Sequence, residues 1–371
     1  LELVSDERYM ALAISLGRRN LGQTSPNPSV GCVLVKNDVI VGRGYTAPGG
    51  RPHAETQAIK QAGSVANGST AYITLEPCSH EGKTPPCAQA LVEAGVKRAV
   101  IATIDPDKRV NGKGISILEA AGIEVKVGVL AEQASLDHAG FFSSQSDCRP
   151  WITLKLATSI DGKIATSKGD SKWITGSSAR HFVHNMRRKH DAIMVGSGTV
   201  ISDDPSLNVR DLGTCIQPYR IVVSSNLEIP VKSNLTKTIY EQPVWIFHSN
   251  EASEERKRKW LDLGAQLFEC QVDNFGISMK DIMQKISDKG ITRLLCEGGG
   301  KLAASLMRSE LVDEIVTFHG GLAIGADGLS SIGDLGIYSL GEAKRWRLNQ
   351  TLSFGAEVLN IWRPTSKYIQ N

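Results

Sequence analysis

The 371-residue sequence has no run of about 18 consecutive apolar residues, so nothing in it reads as a membrane-spanning helix. It has no basic stripe either: 42 Lys and Arg stand against 39 acidic residues, and the net charge of +3 is spread thinly. A nucleic-acid surface needs clustered cations to displace counterions, so a small anionic substrate is expected instead. A disulfide framework is missing: seven cysteines, Cys32, Cys78, Cys87, Cys148, Cys215, Cys270 and Cys296, are odd in number and widely scattered. That pattern suits a reducing, cytoplasmic setting. The start, Leu1 to Met10, lacks the basic region and apolar stretch of a secretory signal. No strand runs into G-x-G-x-x-G, which disfavours a classical dinucleotide fold.

What is present suits two layered α/β domains, since the chain is too long for one ordinary core. Ser5 is placed to cap a helix that carries Met10, Ala13, Ile14 and Leu16 on one face and ends at Gly17. Strands are expected over 30–35 and 39–44, around the turn Lys36-Asn37-Asp38. Helices over 53–62, 86–94 and 115–121 then alternate with strands over 70–75, 96–102 and 123–127. Periodicity is lost between Ser144 and Pro150, which places the domain boundary between 147 and 148. Beyond it, strands are expected over 151–157, 192–195, 220–223, 244–248 and 293–296, with helices over 177–188, 280–287 and from Lys301. Closing strands are expected near 314–318, 347–352 and 359–362.

Three features of the first domain point to metal chemistry: His53-Ala54-Glu55, Pro77-Cys78 and Pro86-Cys87. One imidazole and two thiolates make three zinc ligands and leave a tetrahedral position open for water. Glu55, two residues from His53, is then a proton carrier, the arrangement of zinc nucleobase deaminases. The spacing departs from P-C-x-x-C, because Ser79 to Pro86 separate the two cysteines. The elongated loop carries His80, Glu81 and Lys83 and is expected to reach toward the substrate. A closed structural site with His80 or another cysteine as fourth ligand remains an alternative. Cys32, in an apolar strand, reads as core. In the second domain Gly298-Gly-Gly300 lies between a strand and a helix, where backbone N–H groups can receive a pyrophosphate; a tight turn fits the same residues.

Taken together, these segments resemble the bifunctional riboflavin-biosynthesis deaminase/reductase family. The likeness rests on Ser25-Pro-Asn-Pro-Ser-Val-Gly31, His53-Ala-Glu55, Thr74-Leu-Glu-Pro-Cys-Ser-His80 and Lys83-Thr-Pro-Pro-Cys87. It continues through Lys155-Leu-Ala-Thr-Ser-Ile-Asp-Gly162, Trp173-Ile-Thr175, Ser202-Asp-Asp-Pro205, Asn208-Val-Arg210 and Glu297-Gly-Gly-Gly300. One local departure is Asp105-Pro-Asp-Lys108, where the family has Asp-Pro-Asn-Pro.

The resemblance implies a cytidine-deaminase-like domain over 1–147 and a dihydrofolate-reductase-like domain over 148–371. It implies loss of the 2-amino group of 2,5-diamino-6-(5-phosphoribosylamino)pyrimidin-4-one, then reduction of the ribosyl chain to ribityl by NADPH. By position, His53, Cys78 and Cys87 are similar to the zinc ligands and Glu55 to the proton donor. Asn27, His80 and Lys83 are expected near the pyrimidine and its phosphoribosyl arm. Ala157, Trp173, Thr199, Asp203, Ser225 and the run Gly299, Gly300, Lys301, Leu302, Ala303, Ala304, Ser305 resemble NADPH contacts. Ser171, Arg187, Leu207, Arg210 and Glu297 resemble substrate contacts, the two arginines being suited to phosphate. A solvated helix face for Arg187 and a core position for Trp173 compete with those roles. Lys155 and Asp161 fall near the cleft without an assigned role. A homodimer through the second domain is also implied. A nucleotide or tRNA deaminase with a non-catalytic assembly domain, and a zinc-stabilised binding module, stand as the competing functions.

Overall fold

A computed structural model describes residues 2–80, 85–107 and 110–365. The chain divides into two compact units, Leu1–Arg149 and Pro150–Asn371. No helix among the described residues is long and apolar enough to cross a membrane.

The first unit is a five-stranded sheet between two helical layers. Its strands are β1 (Gly31–Lys36), β2 (Val39–Tyr45), β3 (Thr70–Ile73), β4 (Arg98–Ile101) and β5 (Glu124–Val127), in the order β2-β1-β3-β4-β5. β1 pairs antiparallel with β2 and β3, while β3, β4 and β5 run parallel. Asn37 and Asp38 adopt positive φ at the β1–β2 turn, as these two residue types tolerate. Strand alternation sorts the core into two. Val33, Val35, Tyr72 and Val100 pack with Tyr9, Met10, Ala13 and Ile14 of helix α1 (Glu2–Gly17). Cys32, Leu34, Ile73 and Ile101 face the other way, onto Ala54, Ala58, Ala88, Leu91 and Leu118. Those residues belong to α2 (Ala54–Ala62), α3 (Cys87–Glu93) and α4 (Lys113–Ala120). Cys32 is therefore core, as expected.

Two expectations need correction here. The first helix begins at Glu2, so Ser5 lies inside it and not at its start. Helix runs into the stretch leading to Pro150, of which only residues 147–150 are irregular: α5 spans Ala131–Ser146. It follows Leu130 in a left-handed conformation and buries small or polar residues such as Ala134, His138, Gly140 and Ser143, so it shows no apolar period.

The second unit is built on a nine-stranded sheet. Its chain order is β6 (Trp151–Ser159), β7 (Lys163–Ala165), α6 (Ser177–Arg188), β8 (Ala192–Gly196), α7 (Ser197–Asp203), β9 (Tyr219–Val223) and α8 (Asn234–Lys237). β10 (Val244–His248), α9 (Glu254–Asp262), β11 (Gln266–Glu269), the short hairpin β12 (Val272–Asp273) and β13 (Gly276–Ile277), and α10 (Met279–Asp288) follow. The chain closes with β14 (Arg293–Cys296), α11 (Gly300–Arg308), β15 (Glu314–Gly320), β16 (Leu329–Ser330), β17 (Trp346–Phe354) and β18 (Glu357–Pro364). The large sheet runs β11-β10-β9-β8-β14-β6-β15-β18-β17, parallel from β11 to β15 and antiparallel at its last two strands. Helices α10 and α11 cover one face through Ile282, Met283, Ile286, Ala303 and Leu306. On the opposite face Ala179, Val183 and Met186 of α6 pack on Leu295, Val316 and Phe318. With both faces covered, the carboxyl ends of the parallel strands are left to bind ligands.

Candidate active sites

His53 stands at the N-cap of α2, and Cys87 is the first residue of α3, after Pro86. Cys78 follows β3 in the loop Glu76-Pro77-Cys78. The ligand atoms of these three residues all lie within 4.8 Å of one another. His53 Nδ1 is 3.3 Å from Cys87 Sγ and 3.7 Å from Cys78 Sγ, and the Cys87 N–H donates to Cys78 Sγ at 3.3 Å. A hydrogen bond from Cys87, aided by His53, lowers Cys78 to about 4, and the same bond together with burial pushes the Cys87 thiol up. Convergence of one imidazole and two sulfurs fits zinc. Glu55, in the first turn of α2, is only 4% exposed. Burial, reinforced by the charge on Cys78, raises it to about 6.

Backbone approach sets this geometry. A side chain on Gly44 of β2 would run into the Ala54 carbonyl, so glycine lets the start of α2, with His53 and Glu55, lie against the strand. Glu76 fixes the other half. Its buried carboxylate accepts N–H bonds from Gly112 at 3.0 Å and Gly114 at 2.9 Å, with longer ones from Asp105 and Ile115 at 3.3 Å. One acid, two residues before Cys78, thus caps α4 and holds Asp105 to the same anchor. The motif containing Glu76 was visible in the sequence; its role was not. Asp105 in turn accepts the N–H of Asp107, and both are buried.

The other expected residues of this site are placed as follows. The Asn27 side-chain amide donates to the Gly50 carbonyl at 3.0 Å. His80 is half-buried, with Nδ1 shielded and lacking a hydrogen-bond partner among the described residues. Lys83 and Glu81 lie outside the described residues. The metal-ligand cluster holds three residues, and His80 is not among them.

In the second unit a cavity of about 1550 Å³ opens along the carboxyl ends of the parallel strands. Ala157, Trp173, Thr199, Asp203 and Ser225 line it, as do Gly299, Gly300, Lys301, Leu302 and Ser305. So do Ser171, Arg187, Leu207, Arg210 and Glu297. Ala303 and Ala304 do not: they are buried, turned into the core by the helical period of α11. Gly299 caps α11 without a side-chain bond, and Gly300 packs so close to Ser330 that a Cβ would stand 2.6 Å from its carbonyl oxygen. The helix start therefore offers backbone amides at the cavity wall. Trp173 is 68% exposed beneath the Arg180 guanidinium, 4.3 Å from its ring centre, and is not a core aromatic.

The two arginines are placed differently. Arg187 is no solvated helix residue: it lines the cavity with its fork engaged by an acid. Its Nε and Nη2 donate to the two oxygens of Glu297 at 2.6 and 2.9 Å, and Nη1 donates to the Asn208 carbonyl at 3.0 Å. Burial pushes Glu297 up, but the Arg187 charge and hydrogen bonds outweigh it and hold the carboxylate at about 2. Arg210 is the exposed guanidinium of the pair. Lys155 also lines the cavity, and burial lowers its ammonium pKa against the pull of Glu297. Asp161 is structural: it accepts bonds from Ser159 Oγ and from the N–H groups of Ile324 and Gly325.

A metal centre of deaminase type followed by a strand-end cavity defines a two-domain enzyme, and comparison with known proteins agrees. The family model for the cytidine and deoxycytidylate deaminase zinc-binding region matches residues 3–103, and that for the RibD C-terminal domain matches residues 150–360. Riboflavin biosynthesis protein RibD of Aquifex aeolicus is 42% identical over 358 residues, covering 96% of this chain and 98% of the relative. The Escherichia coli RibD is 37% identical, with 96% and 98% covered. Acinetobacter baumannii RibD superposes with a TM-score of 0.86 at 35% identity, over 98% of this chain and 100% of that one. The Thermotoga maritima diaminohydroxyphosphoribosylaminopyrimidine deaminase/5-amino-6-(5-phosphoribosylamino)uracil reductase gives 0.86 at 32%, with the same coverage. The chain belongs to the RibD family of bifunctional riboflavin-biosynthesis enzymes, which join a zinc deaminase to an NADPH-dependent reductase.

Proposed function

We propose that the unit before Pro150 deaminates 2,5-diamino-6-(5-phosphoribosylamino)pyrimidin-4-one and that the unit after it reduces the product with NADPH to 5-amino-6-(5-phosphoribitylamino)uracil. The observation that carries the first half is the convergence of His53, Cys78 and Cys87 beside buried Glu55. Zinc held by those three side chains supplies Lewis acidity that lowers the pKa of water. Glu55 moves protons: it carries the first proton of the attacking water to the ring nitrogen and the second, from the newly attached hydroxyl, to the departing amine. The C2–N bond breaks, a C2–O bond forms, and ammonia leaves. Asn27, His80 and Lys83 belong to the substrate side of the same reading.

In the second unit NADPH carries the hydride and the protein positions it. The amides of Gly299 to Leu302 receive the cofactor's pyrophosphate, and Ala157, Trp173, Thr199, Asp203 and Ser225 complete its walls. Ser171, Leu207, Arg210 and the Arg187–Glu297 pair hold the phosphoribosyl substrate. Arg187 keeps two further N–H groups beyond the three already engaged, so it orients both Glu297 and the ligand. An assembly-only second unit has no support from a match to the RibD C-terminal domain. A homodimer through this unit and a cytoplasmic location complete the proposal; sedimentation of the full chain tests the former.

The test is sequential turnover of the diaminopyrimidine phosphate. Ammonia release followed by NADPH consumption is expected. Ammonia release that continues unchanged in Glu55→Gln would sink the assigned mechanism.

A further inference from the structure

The reductase cavity extends past the glycine turn onto the α10/α11 face of the sheet, beyond Leu302 and Ser305 of α11. There the hairpin β12–β13 brings Phe275 to the cavity wall. Phe275 is 70% exposed, yet it is not loosely held. Its N–H donates to Asp273 Oδ1 at 2.8 Å, Val272 pairs with Ile277, and Ile277 and Met279 anchor the hairpin in the core. The Arg308 guanidinium lies 4.7 Å from the ring centre. A smaller pocket of about 260 Å³ continues from the cavity here and shares Phe275, Ile277, Met279 and Ser305 with it.

Resting on the reading that this cavity takes NADPH, we infer that Phe275 is an adenine platform and that the hairpin forms the adenosine end of the cofactor site. The substrate groups Arg187 and Glu297, with Lys155 also at the cavity wall, gather around α6, β14 and β6. A dinucleotide with its pyrophosphate at the start of α11 must send its nicotinamide toward those groups, and hence its adenosine the opposite way. That way lies Phe275, an anchored aromatic surface against which a purine can stack. Lys301 at the cavity wall and Arg308 under the ring give this side the positive charge that a 2′-phosphorylated adenosine requires.

The experiment is calorimetry on the full chain with two probes: NADPH, and adenosine 2′,5′-bisphosphate, which keeps the adenosine end and lacks nicotinamide. Phe275→Ala is expected to weaken both by a common factor of ~10, raising KM for NADPH while kcat holds. Phe275→Tyr, which keeps the ring, is expected to bind both as the native chain does. Because Phe275 is largely exposed, alanine there leaves the core intact. Equal affinities in Phe275→Ala and the native chain would overturn the inference while leaving the reductase reading in place. So would a loss confined to NADPH. A native chain that binds neither probe would overturn both.

Discussion

The two units solve opposite problems. In the first, three ligand atoms within 4.8 Å and one acid make a site a few residues wide, held by two helix starts. In the second, a cavity of about 1550 Å³ draws on many segments and on backbone amides as much as on side chains. Point chemistry at a metal needs few groups placed tightly. Aligning a long cofactor with a second ligand needs an extended surface and little reactive chemistry from the protein. Damage to one unit should therefore be abrupt and local, and damage to the other graded.

The sharpest break of that contrast is expected at Glu55. Glu55→Gln, or removal of zinc by a chelator, should lower ammonia release by roughly 10²-fold or more. NADPH oxidation on the already deaminated aminouracil should stay unchanged; a parallel loss of both activities would join the two units functionally. Next in size is Arg187→Met, which strands the Glu297 carboxylate at 9% exposure. A cost of about 3–5 kcal/mol is expected in the second unit. All six tryptophans lie beyond Pro150, so tryptophan fluorescence reads that unit alone.

Acid should also separate the units. Burial holds buried His190 down at about 3, while its ring bonds to the Met186 carbonyl and to Thr153. A depressed histidine stabilises the fold above its unfolded pKa near 6.5 and loses that contribution as pH falls toward the folded value. The tryptophan-reported midpoint should thus begin to fall just below pH 7, by about 1.4 kcal/mol per unit, and His190→Gln should flatten the decline. In the first unit Asp6 is buried, but hydrogen bonds from Arg98, Lys126 and Tyr72 overcome the burial and pull it well below the ordinary carboxylate range. Its contribution is present above pH ~4 and is lost only as pH falls below that value. Amide hydrogen exchange in the first unit's strands should hold there while tryptophan fluorescence already reports loss in the second. The smallest expected effect is Glu76→Gln, about 1–3 kcal/mol in the first unit, read as a lowered melting temperature with tryptophan fluorescence unmoved.

The metal centre was legible because its residues sit in short motifs at helix starts, and His53, Cys78 and Cys87 do converge. Beyond the glycine turn 298–300, the cavity was legible only through the family resemblance, since its other walls come from distant segments and carry no local pattern. The Arg187–Glu297 pair spans 110 residues, a separation that no period records. Regular elements with an apolar face, such as α6 and β10, fell where their periodicity placed them. Helix α9 did not announce itself: within Glu254–Asp262 only Trp260 is buried, and charge dominates the rest. Its one signal was Ser253, whose side chain accepts the Arg256 N–H at the cap.

The four amides gathered on Glu76 tie a distant loop to the sulfur two residues away. Peeling that loop back means stripping a shielded carboxylate of its partners at the doorstep of the ion. Release of Asp105, Gly112, Gly114 and Ile115 from Glu76 should therefore accompany escape of the metal, and a chelator's rate of extraction would report how often those amides let go.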